Sequence, residues 1–474
     1  MKFDCTNDGQ MMHCSIVTDR DMAKPVFCCS GMVPMKVVKG GTLIGELGSF
    51  TEVQLPDLIS GEPYEFTLAY RDPTRTPANR AWLPLGPYLR SADGPVGLPP
   101  VRSGCDPQPF KTVPPFEGLQ LVPQPTDWAP TGGTLYADGF FCDDDALAAV
   151  AALANRQSLP PFLLDSGPAL KLKSDPDLPV DAYKLEISTA GVTLTASSYG
   201  GRFYGGITLL TLLQTHSNEL PCGVISDSPR FAWRGQHLDC ARHFFEMSTI
   251  HDLLDLMALM KLNRFHWHFA DDEAFRLQID SYPELWQRTE LCGEGHLMPT
   301  LFSRAIEAGG SYSKADAAQV IERAKQLNIE VMPEIEALSH ALAIGKVFPD
   351  MLDPEDTGTE ESVQGYRHNI LNPAMPKTWE VLTAIAKEVG DLFPFGHLHL
   401  GCDELPDGTW MHSPAARKVM DREGHKNTQD LQGWTMSKLA EIVTQNGQRP
   451  AGWEEAAQGN QRGIENDAIL FSWT

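Results

Sequence analysis

Acidic side chains gather at three points in the second half of the chain: Asp271-Asp272-Glu273, Glu334 with Glu336 and His340, and Asp403-Glu404. Each cluster follows a short apolar run that reads as a β-strand, so each stands where a strand ends. Packing needs no carboxylate there, and a charge in such a place must be paired or put to use. The plain alternative is solvated loop acid, in a chain with 62 Asp and Glu. Three clusters at three successive strand ends weigh against it. Asp403 and Glu404 are the sharpest pair, closing the run Leu398-His399-Leu400-Gly401-Cys402. Adjacent carboxylates repel, so one is expected to stay protonated near neutral pH. A neutral carboxylic acid beside an ionised one is what cleavage of a glycosidic bond needs. Neighbours on one strand end diverge too far to flank a sugar in the usual two-carboxylate geometry. A substrate that supplies its own nucleophile removes that difficulty.

Other residues carry a second possible chemistry. His266 and His268, like His397 and His399, form His-x-His pairs. Such pairs on barrel strands can bind zinc in hydrolases. Packing or hydrogen bonding inside a barrel is the preferred reading, and no metal is expected. Trp453 and Trp473, taken alone, read as core.

The elements that position these groups alternate from 231 onward. Gln236 to Cys240, Arg264 to Ala270, Ile329 to Ile335, His397 to Gly401, Pro450 to Trp453 and Ala468 to Ser472 read as strands. Between them lie helical periods. One, capped by Ser248 or Thr249, buries Ile250, Leu253, Leu254, Met257 and Met260. Another, capped by Ser313, buries Ala317, Val320, Ile321, Ala324 and Leu327. Two more run through Trp379, Leu382, Ile385 and Val389, and through Leu431, Trp434, Leu439 and Ile442. Repeated βα units indicate a (β/α)8 TIM-type barrel over 230–474, whose catalytic groups stand at the C-terminal ends of its strands. Six strand signals are present where closure needs eight, so a barrel truncated after about six strands is expected.

Two further regions precede it. Residues 1–110 carry short β-rich runs such as Met35-Lys36-Val37-Val38 and Tyr64 to Tyr70, punctuated by Pro and Gly, and read as a β-sandwich. Residues 91–118 suit a linker. Residues 119–228 mix a hairpin, Tyr183 to Ile187 and Val192 to Ala196 around Ala190-Gly191, with a helical period from Gly201 to Gln214. That pattern is an α+β domain.

Composition narrows the function. The 474 residues carry a net charge of −24 and a sequence pI of about 4.9. So acidic a surface repels nucleic acid and anionic membranes. No window holds the ~18 apolar residues of a membrane helix. The start, Met1-Lys2-Phe3-Asp4-Cys5, lacks a leader's apolar run. The ten cysteines form no C-x-x-C pair. Reduced thiols and a cytoplasmic location are expected.

From Trp233 to Trp473 the chain resembles glycoside hydrolase family 20, the β-N-acetylhexosaminidases. Arg234-Gly235-Gln236-His237-Leu238-Asp239-Cys240-Ala241-Arg242-His243-Phe244 looks like the family's first strand and loop. Lys261 to Asp272 looks like the second, and Pro333-Glu334-Ile335-Glu336 through His340 like the third. His399-Leu400-Gly401-Cys402-Asp403-Glu404 resembles the signature His-x-Gly-Gly-Asp-Glu. Residues 181–214 resemble the α+β domain that precedes the barrel. The resemblance implies an exo-acting, retaining hydrolase of terminal N-acetylhexosamines that needs no cofactor. In it Glu404 corresponds to the general acid/base. Asp403 corresponds to the carboxylate that orients the substrate's 2-acetamido group, which attacks C1 to give an oxazolinium ion. Arg242 matches the residue that holds sugar hydroxyls, Asp271 and His340 match a relay supporting Glu404, and Trp453 and Trp473 match walls of the acetamido pocket. The implied partner is an oligosaccharide or glycoconjugate ending in GlcNAc or GalNAc. Three departures stand out, the first being that the resemblance implies a pocket tyrosine and further tryptophans on later strands, beyond the six strand signals here. Cys402 replaces the second signature glycine, a change expected to disturb the backbone little. Leu338-Ser339 replaces the usual Pro-Gly before His340. A metal-dependent barrel hydrolase and a non-catalytic carbohydrate-binding relative are the competing readings.

Overall fold

Alternating burial along Lys2–Asn7 and Met11–Val17 puts Phe3, Cys5, Met12, Cys14 and Ile16 on one face, the mark of antiparallel strands half-turned to a core. In the computed structural model, which describes residues 1–72, 79–101, 118–301, 306–459, 464 and 468–473, these strands pair with Pro63–Tyr70 and Met35–Lys39 in a four-stranded sheet. A five-stranded sheet of Thr42–Leu47, Phe50–Gln54, Val26–Ser30, Leu85–Ser91 and Gly94–Gly97 lies against it. Phe27, Val53 and Leu89 of the second sheet share one core with Phe3, Ile16 and Phe66 of the first. The linker expected at 91–118 begins later than its composition suggests. Ser91 pairs with Gly94 in the hairpin of Leu85–Ser91 and Gly94–Gly97, because glycine at positive φ (Gly94, +101°) makes that turn. Residues 102–117 of the linker lie outside the described residues.

A second five-stranded sheet follows, ordered Asp127–Tyr136, Glu219–Asp227, Tyr183–Ser188, Gly191–Ala196, Leu170–Ser174. The expected hairpin is present, Ser188 pairing with Gly191. The helix Tyr199–Thr215 packs on this sheet and the helix Asp145–Arg156 packs on that helix.

Six parallel strands then form one curved sheet in chain order: β1 (Gly235–Asp239), β2 (Arg264–His268), β3 (Glu330–Glu334), β4 (His397–His399), β5 (Arg449–Trp453) and β6 (Ile469–Phe471). This is the truncated barrel that six strand signals imply. Crossover helices α1 (Met247–Leu259), α2 (Lys314–Gln326), α3 (Pro376–Leu392) and α4 (Thr428–Gln445) connect β1 through β5 in turn. Ser313 caps α2 as expected, in a full capping box with Asp316. The start of α1 differs: Glu246 occupies its N-cap position and no side chain caps it, so Ser248 and Thr249 lie inside its first turn. Side chains of β2 alternate: Phe265 and Trp267 are buried against helices, while His266 and His268 point into the barrel.

One ion cluster fastens the α+β body to the barrel. Asp255 on α1 is fully buried and accepts two hydrogen bonds from Arg156, each 2.8 Å, and one from Arg323 on α2 at 2.7 Å. No helix among the described residues is long and apolar enough to cross a membrane.

Candidate active site

The C-terminal ends of β1 to β4 bring the three acidic clusters together. Deepest lies Glu334, the last residue of β3 and wholly buried. Inward-facing imidazoles surround its carboxylate: His266 Nε2 at 2.8 Å, His268 Nδ1 at 3.0 Å, His399 Nδ1 at 2.8 Å and His237 Nε2 at 3.5 Å. Burial works against its charge, yet His268 and the other imidazoles hold it well below the usual carboxylate range. His268 answers in the opposite sense. Burial disfavours its cation, but Glu334, Asp239 and Asp271 push its pKa well up. His266 is carried down to about 3, by burial above all. His266, His268 and His399 thus line the barrel interior around a carboxylate, while His397, the remaining member of the two pairs, lies against Phe395.

Above this layer sits a chain of contacts. Asp239 accepts from the backbone N–H groups of Ala241 and Arg242, both 3.0 Å, which bends the loop after β1. The same Asp239 accepts from Arg242 Nη1 at 2.9 Å and so aims the guanidinium. Arg242 Nη2 lies 2.9 Å from Asp271. His340 follows, its Nδ1 being 3.4 Å from Asp271 and 3.2 Å from Asp272. Its Nε2 faces the signature pair, 3.5 Å from Asp403 and 3.4 Å from Glu404. The structure thus brings together Arg242, Asp271, His340, Asp403 and Glu404. Burial opposes the charge of both Asp271 and His340. Arg242 and His340 nonetheless hold Asp271 well below its ordinary value, and Asp271 in turn raises His340 well above its own.

Asp403 is raised to about 6. The expected cause, repulsion from Glu404, is not the one found: burial dominates, with Glu334 and Asp271 adding to it and His340 opposing. Divergence of adjacent side chains explains this, since Asp403 turns toward the buried acids. Glu336, fully buried, is pushed well up by burial and by Asp403.

The backbone here is unusual. Cys402 (φ +80°), Glu404 (φ +53°) and His340 (φ +48°) all occupy the left-handed region, which costs a non-glycine residue about 1–2 kcal/mol. Cys402 is accordingly not the neutral replacement its size suggests: glycine would take this φ without strain. Its thiol is buried and accepts from Gln432 at 3.2 Å. A side chain at Gly401 (φ +64°) would be strained, and its Cβ would come 1.9 Å from the Glu336 carboxylate, which would have to move.

The tryptophans stand apart from this chain. Trp453 donates its backbone N–H to Gly401 at 3.2 Å, beside the signature loop, and its ring lies 4.9 Å from that of His399. Trp473 is half exposed, its indole donating to Glu455 at 3.2 Å. Residues not singled out from sequence also belong here. Asp239 aims Arg242. Asp272 accepts from Leu342 N–H and Asn369, each 3.0 Å, and ties down the loop after β3. Tyr366 donates to Glu273 at 2.7 Å. Asp239 and Asp272 stood in quoted strand-end motifs; nothing in the sequence points to Tyr366.

Among the described residues, four groups have ligand atoms close enough to share a cation: His237–His266–Glu334, His268–Asp271–Glu336, Asp271–Asp272–His340 and His340–Asp403–Glu404. A cavity of about 190 Å³ runs beside Arg242 and Glu273. A larger one, about 710 Å³, opens at the opposite ends of the strands, around Arg234, Arg264 and Glu330, far from the carboxylates. The convergence of titratable groups, not cavity size, marks the site.

Known proteins share this arrangement. Residues 231–474 match the model for the glycosyl hydrolase family 20 catalytic domain, and residues 118–228 that for domain 2 of the same family. A Beta-hexosaminidase of Vibrio furnissii is 36% identical over 306 residues, 64% of this chain and 50% of that protein. Another, of Akkermansia muciniphila, is 31% identical over 320 residues, 65% of this chain and 62% of that protein. The chain therefore spans about half the length of the curated relatives it matches. Among solved structures, the GH20 exo beta-N-acetylglucosaminidase from Vibrio harveyi in complex with N-acetylglucosamine superposes with a TM-score of 0.86 at 27% identity, covering 100% of this chain and 78% of that one. The GH20 beta-N-acetylhexosaminidase from Streptomyces coelicolor A3(2) gives a TM-score of 0.59 at 25% identity, over 75% and 69% of the two chains. With the catalytic-domain model spanning all six barrel strands and both acidic signature residues, the chain belongs to glycosyl hydrolase family 20.

Proposed function

We propose that this protein is an exo-acting, retaining β-N-acetylhexosaminidase whose substrate provides the nucleophile. The observation that carries the reading is the convergence of Asp403 and Glu404, at the end of β4, on one imidazole nitrogen of His340. In this reading Glu404 gives its proton to the glycosidic oxygen as the C1–O bond breaks. The 2-acetamido oxygen attacks C1 from the other face and closes an oxazolinium ring. Asp403, as the carboxylate, faces the N–H of that ring and balances its charge. Water then attacks C1, Glu404 takes the water's proton, and two inversions give retention. His340, backed by Asp271, keeps a positive charge beside both acids. Arg242 grips sugar hydroxyls through its planar fork. Trp453 and Trp473 supply aromatic faces for the acetamido methyl and the sugar ring.

The substrate class is an oligosaccharide or glycoconjugate ending in GlcNAc or GalNAc. The Vibrio harveyi protein of similar fold is bound to N-acetylglucosamine, which supports that choice. A cytoplasmic location is part of the reading, supported by nine described cysteines that stand as free thiols. Nitrophenol release decides the function. The nitrophenyl N-acetyl-β-glucosaminide should be cleaved and the plain β-glucoside should be inert, because it lacks the acetamido nucleophile. Comparable rates on both substrates would sink the substrate-assisted mechanism.

A further inference from the structure

Arg242 directs one Nη1 N–H to Asp239 and one Nη2 N–H to Asp271, each at 2.9 Å, which leaves the second Nη1 N–H for a sugar hydroxyl. Its Nε and the other Nη2 N–H face the terminal amide of Gln364 at 3.1 and 3.0 Å; two donors on that side assign the amide oxygen to it, so the carbonyl accepts from both. Asp271, Glu273 and His340 are buried around the guanidinium, whereas Gln364 and Asp239 are partly open to solvent. A sugar hydroxyl that approaches Arg242 from outside therefore meets the Gln364 carboxamide. With its oxygen committed to Arg242, the Gln364 NH2 remains to donate.

The turn carrying Gln364 is firmly built. Ser362 N–H donates to Tyr366 O at 2.8 Å, Gly365 N–H to Ser362 O at 2.9 Å, and Tyr366 N–H to Ser362 Oγ at 3.1 Å. Tyr366 is fully buried and donates to Glu273, whose other oxygen lies 3.7 Å from Arg242 Nε. Much of the bracing comes from residues some three hundred positions away. Arg71 pairs with Glu361 on this loop and with Glu46, the latter at 2.6 Å. Phe50 and Tyr88 share a small core with Tyr366 and Leu342. The sandwich backbone touches the tyrosine so closely that a Cβ on Gly48 would come 2.4 Å from its ring.

We propose that Gln364 is a further substrate-binding residue, donating to a hydroxyl of the terminal sugar, and that the N-terminal β-sandwich acts as its positioning element. The inference rests on Arg242 as the clamp for sugar hydroxyls. A neutral carboxamide paired with a hydroxyl is directional, so it discriminates between epimers that differ in where that hydroxyl points.

Three variants of the full chain test it: Gln364→Ala, Gly48→Ala and, as a milder change in the brace, Arg71→Met. Each is assayed on the nitrophenyl N-acetyl-β-glucosaminide and galactosaminide, with calorimetry of N-acetylglucosamine binding and a thermal unfolding midpoint. Gln364→Ala should raise KM roughly 5- to 20-fold, the loss of one hydrogen bond, with kcat within about twofold. Sugar binding should weaken in step, the glucosaminide-to-galactosaminide ratio should change, and the midpoint should hold. Gly48→Ala or Arg71→Met should reproduce the KM effect in part without a matching loss of kcat. Unaltered KM, sugar affinity and substrate ratio in Gln364→Ala, beside an active wild type, overturn the role of Gln364 alone. An effect in Gln364→Ala with none in either brace variant overturns the role of the sandwich. A wild type that neither hydrolyses nor binds the sugar overturns both this inference and the function beneath it.

Discussion

Replacing Asp271 by Asn removes one negative charge from between two cations. Asp271 lies 2.9 Å from Arg242 Nη2 and 3.4 Å from His340 Nδ1, and those two nitrogens are themselves 3.4 Å apart. At such separations, with an effective dielectric of ~20, each charge pair is worth about 5–6 kcal/mol before relaxation. Each unit of pKa corresponds to ~1.4 kcal/mol. Loss of the attraction would lower the His340 pKa by at most ~3.5 units. Asp272, still 3.2 Å from the same nitrogen, retains part of it, so a fall of ~1–2 units is expected. The direction is fixed. A histidine raised by a carboxylate holds its proton below its folded pKa and loses it as pH rises through that value. The variant should therefore release the proton at lower pH than the wild type. Two-dimensional NMR of ¹⁵N-histidine-labelled protein, with His340→Gln to assign the signal, reads the titration directly. An unchanged His340 titration in Asp271→Asn would refute the claim that Asp271 holds the cation in place.

Three other outcomes follow from the site and its frame. Glu404→Gln should lower kcat on oligosaccharides by ~10²–10⁴-fold and on activated aryl glycosides by much less, since good leaving groups need little protonation; equal losses on both, by initial-rate kinetics, count against the acid role. Dialysis against a strong chelator should leave nitrophenol release unchanged, because the proposed chemistry uses carboxylates and the acetamido group; loss of activity restored by zinc would promote the His237–His266–Glu334 group to a working metal site. Asp255→Ala strands Arg323 without its buried partner and should cost about 3–5 kcal/mol in urea unfolding. Because Arg156 and Arg323 hold Asp255 below its ordinary pKa against the opposing effect of burial, its stabilisation is present above the unfolded carboxylate value and should fade as pH falls through the lower, folded one.

Much of this architecture can be read from residue order because the barrel units repeat one simple rule. In the first four units a short run with alternating apolar residues ends in carboxylates and a helix of period 3.6 follows, so those strands and their acidic ends are visible without tertiary information, while the last two show as strand signals alone. The α+β sheet is harder. In Asp127–Tyr136 the register shifts between Pro130 and Thr134 around Gly132-Gly133, which erases the alternation that marks a strand. The start of α1 is misread for a related reason: Ser248 and Thr249 have the right chemistry for a cap, but the chain enters the helix before them at Glu246. Gln364 and Tyr366 leave no local signal, since distant Gly48, Arg71 and Glu273 fix their place. Cys402 shows the limit of a resemblance. The motif says that glycine has been replaced, and only the φ of +80° shows the conformation the cysteine must bear.

The charges around the site explain why acid chemistry suits it. Eight carboxylates cluster there: Asp239, Asp271, Asp272, Glu273, Glu334, Glu336, Asp403 and Glu404. Arg242, His268 and His340 are the cations that face them and whose charge the surroundings favour. Full ionisation would leave a large uncompensated negative charge in a water-poor interior, which is costly. The structure relieves it by sharing the burden unequally. Asp271 and Glu334, which touch the cations, keep their charge. Glu336 is pushed well up, Glu273 to about 8 and Asp403 to about 6, each by burial first. Protons are thus retained near neutral pH within a few ångströms of where, in the proposed mechanism, a glycosidic oxygen receives one. In the proposed mechanism Asp403 serves as an anion beside the oxazolinium ring. With its pKa at about 6 it is already mostly ionised at neutral pH, and a positive ring beside it would draw that value lower still, so the anion becomes more secure as the intermediate appears.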